Sequence, residues 1–159
     1  MWAVLGIAAA AVIRLFSAPT AVFATAALFV PLAVRLAEDV ADHELGMFIE
    51  NESAMPGFGR RLLGDTLVGL SLGIVSGLVA LAMLEALREP LPLSLALAGA
   101  LALTIAIVTA ATAAYPALLR RRSGEGWRAS SAVVTTVTSL FAVTLYLALA
   151  MALSRVVGA

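Results

Sequence analysis

The sequence predicts an all-α integral membrane protein, a single transmembrane domain of five helices over residues 1–159, and three observations predict it. Of the 159 residues, 62% are apolar and 13% charged, and the mean hydropathy is +1.05, whereas soluble domains run near 45–50% apolar and about 25% charged. Several stretches run for about 20 residues with no charge in their interior, the length a helix needs to cross a hydrocarbon core about 30 Å thick. Those stretches take up most of the chain and leave no room for a separate soluble domain.

The first 34 residues hold one charge, Arg14. As one helix at about 1.5 Å per residue they would reach roughly 51 Å, too long for one crossing. A break at Phe16-Ser17-Ala18-Pro19, where proline favours a helix start, gives spans of about 1–16 and 19–36. A single kinked helix, making four spans in all, is the alternative. No basic residue precedes Arg14, so the first run lacks the charged start of a signal peptide and reads as a retained helix. Residues 37–61 carry Glu38, Asp39, Asp42, His43, Glu44, Glu50 and Glu52 before Arg60-Arg61, and read as an acidic cytoplasmic segment. The remaining spans are about 62–87, 91–119 and 129–153, separated by Arg88-Glu89-Pro90 and by Arg120-Arg121-Arg122 with Arg128.

Arginines near membrane ends stay cytoplasmic. Arg35, Arg60, Arg61, Arg120, Arg121, Arg122 and Arg128 fall on one side, and Arg14, Arg88 and Arg155 on the other. With five spans this places the amino terminus in the cytoplasm and the carboxyl terminus outside, in an inner or plasma membrane. Gly69, Gly73 and Gly77 form a Gly-x-x-x-Gly face on the third span, suited either to packing within one bundle or to a dimer seam.

Composition excludes several functions. Ten arginines balance ten acids and lysine is absent, so no basic surface invites nucleic acid. With no cysteine and His43 as the sole histidine, disulfides, cysteine zinc sites, thiol catalysis, iron–sulfur clusters and bis-histidine haem drop out together. No nucleophile–base pair, His-Glu-x-x-His pair or phosphate loop is present. Asp65 and Glu85 lie at opposite ends of one span, too far apart for an aspartyl dyad. The chain does not read as an enzyme, and no tightly bound cofactor is expected.

Two constellations carry chemistry. On the fifth span Ser131, Thr135, Thr138 and Ser139 share one face at about 100° per residue. Such hydroxyls either bond to their own helix and pack, or line a wet path. In the acidic segment Glu38 pairs with Asp42, and Asp39 with His43, at i,i+4 if the second helix continues past the membrane edge. Carboxylates suit hard divalent cations, and an added imidazole shifts preference towards transition metals; the alternative is a hydrated loop. Asp65, just inside the third span, is either a functional carboxylate or a partner of Arg60 or Arg61.

The order of features resembles the membrane domain of the MgtE-type magnesium transporter family. Val12-Ile13-Arg14-Leu15-Phe16 followed by Phe29-Val30-Pro31 looks like that family's first hairpin. Asp65-Thr66-Leu67-Val68-Gly69-Leu70 is similar to its acidic-x-Leu-x-Gly-Leu start, and Pro116 before Leu118-Leu119-Arg120 to its fourth-helix proline. Ala129 to Ser139 resembles its Ala-Ser-Gly-Pro…Thr-Thr-x-x-Asp segment. The sequence departs at two places: Asp39 stands at the family's asparagine, and Ser139 at the aspartate that holds the pore ion. The family's cytoplasmic regulatory domains have no counterpart in these residues.

The resemblance implies a homodimer in the lipid bilayer with a pore between subunits, lined by the second and fifth helices. The expected function is transport of a divalent metal cation, magnesium or a similar ion, as cargo. The metal-contacting candidates are Asp39 for the charge, Glu38 and Asp42 with His43 at the mouth, Asp65, and Thr135, Thr138 and Ser139 towards the hydrated ion. Either the side-chain carboxylates of Glu38, Asp39 and Asp42 relocate the charge missing at Ser139, or the chain pairs with a related half that carries it. The alternatives are a non-conducting subunit assembling with an active paralogue and a transporter of a non-metal substrate.

Overall fold

The computed structural model describes residues 20–50, 58–120 and 131–158. The described residues are helical, with no strand: α1 is Thr20–Ala27, α2 Val30–Glu50, α3 Phe58–Ala86, α4 Leu91–Arg120 and α5 Ser131–Val157. Three of them contain stretches long and apolar enough to cross a membrane, Leu63–Ala86, Leu91–Ala114 and Val133–Val157; the first two lie within the third and fourth expected spans, and the last overlaps the fifth and runs four residues beyond it. The expected span 1–16 lies outside the described residues.

The expected span 19–36 is corrected. It is divided by a turn at Leu28-Phe29, where the Leu28 N–H donates to the Thr25 carbonyl at 3.3 Å and that of Phe29 to Ala26 at 3.1 Å. These i−3 bonds tighten the end of α1. The Phe29 carbonyl then accepts from Ala33 at 2.9 Å to start α2, and Pro31 falls in the first turn, where its missing N–H costs no helical bond. Residues 37–50 of the acidic segment continue α2 as helix, the condition on which the i,i+4 pairs Glu38–Asp42 and Asp39–His43 rest. Ala33, Ala37 and Ala41 recur every fourth residue and are fully buried, a small-residue stripe that lets α2 approach its neighbours closely.

At the centre lies α4, packed on α3, α5 and α2; α5 packs in turn on α2 and α1. Tyr146, Leu84, Leu97, Leu101, Ile105 and Leu147 fill the core. The glycine face of α3 is spent within the bundle. A Cβ on Gly73 would strike the Ala102 carbonyl oxygen, one on Gly77 would lie 2.9 Å from that of Ala98, and one on Gly69 would strike Thr109. The other face of α3 exposes Leu67, Val68, Ile74, Val75 and Leu78, a continuous apolar surface with no charge on it. A bilayer covers it.

The α3–α4 turn is a Schellman cap: the Glu89 N–H donates to Leu84 at 3.1 Å and that of Arg88 to Glu85 at 3.0 Å, while Arg88 takes φ 61°. Glycine adopts that left-handed conformation without the Cβ clash. Arg88→Gly is therefore expected to raise the thermal midpoint by about 2–3 °C, equivalent to roughly 1 kcal/mol; a lowered midpoint in a detergent melt refutes it.

Candidate functional site

Two contacts between α2 and α5 gather most of the sequence candidates. The Ser139 hydroxyl donates to Glu38 Oε1 at 3.1 Å and that of Thr135 to Asp42 Oδ1 at 3.1 Å. A step of four residues up one helix matches four down the other, so α2 and α5 run antiparallel in fixed register. Ser139 lies six residues beyond Val133, where the apolar stretch of α5 begins, so the Glu38 contact sits about 9 Å inside that stretch at about 1.5 Å per residue.

These hydroxyls behave unlike most others. Ser76, Thr104, Thr109, Thr112 and Thr144 donate to carbonyls of their own helix at 2.7–3.0 Å, the self-satisfied pattern of packing residues. Ser139 also reaches its own helix, at the Thr135 carbonyl, 2.9 Å away. Its single proton is shared between that carbonyl and Glu38, so the carboxylate receives only part of a hydrogen bond from it. The other Glu38 oxygen stands 3.9 Å from an Arg35 nitrogen.

Asp39 faces elsewhere. Its carboxylate pairs with Arg35 at 3.1 Å, and the two side chains are 54% and 71% exposed, against 33% for Glu38. Glu38 is the acid that meets Ser139. His43 is exposed one turn beyond Asp39, and Thr138 is buried on α5. Asp65 is half-buried on α3, which packs on α4, and takes no part in the α2–α5 pairs. Among the described residues no three Asp, Glu or His side chains come together as a metal-holding group.

Three features were missed by the sequence reading. Glu44 is a buried carboxylate, 5% exposed, three residues beyond Ala41 on the same stripe; the Ala33-Ala37-Ala41 spacing is the signal that could have found it. Arg35, counted only for topology, is the counter-ion of the acids. At the other end of the bundle the Thr25 hydroxyl donates to Glu89 Oε1 at 3.3 Å, tying α1 to the α3–α4 turn, and no local pattern announces that contact. No family model matches this chain, nor does any curated protein or solved structure.

Proposed function

We propose that this chain transports a divalent metal cation, magnesium or a similar ion, along a path lined by α2 and α5. The observation that carries the reading is the pair of carboxylate–hydroxyl contacts, Glu38–Ser139 and Asp42–Thr135, on one antiparallel helix pair and reaching inside the apolar stretch of α5. Acids are costly at membrane depth and mark ion paths. A hard divalent ion wants several oxygens and formal negative charge, and magnesium keeps part of its water. Two carboxylates and two hydroxyls offer the oxygens, and water and a second copy would supply the rest. The exposed Arg35 and Asp39 support the same assembly: by the α2–α5 register Arg35 lies deeper than Glu38, where a charge facing lipid is unfavourable.

The test is flux of magnesium, manganese, cobalt, nickel and calcium into proteoliposomes holding this chain alone, read by an internal metal dye. Saturable flux supports the reading; none from monodisperse protein overturns it in favour of a non-conducting subunit. Arg35 competes with the cation for the same acids. Arg35→Gln is expected to tighten half-saturation by about two- to fivefold, the range set by an exposed ion pair of roughly 0.4–1 kcal/mol; an unchanged half-saturation removes Arg35 from the path.

A further inference from the structure

Tyr146 lies seven residues beyond Ser139 on α5, about 20° away around the helix and about 10 Å further in, so the two share a face. Its side chain is 0% exposed, and its hydroxyl has no hydrogen-bond partner among the described residues. The antiparallel register that sets Ser139 against Glu38 brings Tyr146 level with Pro31, at the α1–α2 break, and it shares one packed cluster with Ala26, Phe29 and Ala33. Pro31, in the first turn of α2, has no backbone N–H to offer the phenol. A buried hydroxyl left without a partner is destabilising, and a bound water is what satisfies such a group where no protein atom does.

We infer that the Tyr146 hydroxyl binds a water molecule inside the bundle, and that this water continues inward the hydrated path of Glu38 and Ser139. The second half rests on the transport reading; the first does not. Tyr146 is thus a positioning residue two turns deeper than the carboxylate, holding water that the moving ion exchanges with its own shell.

Hydroxyl-radical footprinting of the full chain in lipid tests the first half, because radicals generated from bound water oxidise buried side chains within reach of it. Tyr146 is expected to be oxidised while Leu101, equally buried, is not. Tyr146→Phe removes only the hydroxyl. With a bound water its thermal midpoint falls by about 2–4 °C, whereas removing a merely orphaned hydroxyl raises it. An unoxidised Tyr146 or a raised midpoint overturns the inference. Flux tests the second half: Tyr146→Phe should lower manganese flux about tenfold, on the scale of one lost hydrogen bond, and oxidation with wild-type flux takes the water out of the path. If the wild-type chain itself carries no flux, the transport reading and the path fall together, while the water is still decided by the oxidation and the midpoint.

Discussion

Glu38→Gln is expected to lower divalent flux by about a hundredfold or more while leaving the protein folded. Glutamine keeps the shape and still accepts the Ser139 hydrogen bond, now found at 3.1 Å, so only the charge is lost. A hundredfold is about 2.7 kcal/mol, a fraction of the roughly 8 kcal/mol that a divalent ion gains from one carboxylate about 4 Å away at an effective dielectric of about 20. Most of that gross attraction is offset by ion dehydration, so the smaller figure is the reasonable one. Asp42→Asn should cost less, because Asp42 lies one turn nearer the end of the apolar stretch and is exposed. Asp39→Asn should cost least, because that carboxylate is turned to Arg35. The double variant Glu38→Gln with Ser139→Asp moves the charge across the contact to the place the resembled family keeps it, and should restore most of the flux. If Asp39→Asn proves the most severe of the three and the double variant restores nothing, the charge belongs to Asp39 and the α2–α5 contact is only packing.

The comparison of Glu38 with Asp39 shows where sequence reasoning stopped. Neighbours on a helix differ by about 100°, so deciding which acid faces α5 requires the phase of α2, not its composition. That phase is written in Ala33, Ala37 and Ala41, whose burial puts Glu38 on the flank of the packed stripe and Asp39 on the far side. Alanine is so common in this chain that the stripe does not stand out. The hydroxyl face of α5 was legible because threonine and serine do stand out among leucine, valine and alanine. The third to fifth spans were legible because length and apolarity alone define a crossing. The α1–α2 break was not, since a proline able to start a helix does not say that the chain turns just before it; the turn shows only in the packing, with Phe29 buried in the core. Contacts between distant positions, such as Thr25 with Glu89, leave no periodic trace.

Gly73→Leu is expected to open the α3–α4 hairpin, and the reason lies in what a side chain there would meet. At Gly73 the obstacle is the backbone carbonyl of Ala102, which cannot rotate aside without breaking the α4 ladder. At Gly69 it is Thr109, a stiff β-branched side chain already bonded to the Ile105 carbonyl at 2.8 Å, where some shift is conceivable. Overpacking a close seam costs about 1–3 kcal/mol and more when backbone is the obstacle; since α3 packs on α4, losing that contact releases the whole helix. Gly73→Leu should therefore fail to give monodisperse protein, and Gly73→Ala should melt at least about 5 °C below wild type, on the scale of roughly 2 kcal/mol. Gly64 is the control, with nothing within 4 Å of an added Cβ. Gly64→Ala should stabilise by about 0.5–1 kcal/mol through helix propensity alone. A different pattern, in which Gly73→Leu leaves the melt unchanged but separates a dimer, would assign the glycine face to a second copy. With Ala98 and Ala102 of the same chain already seated against Gly73 and Gly77, that face has no room for one.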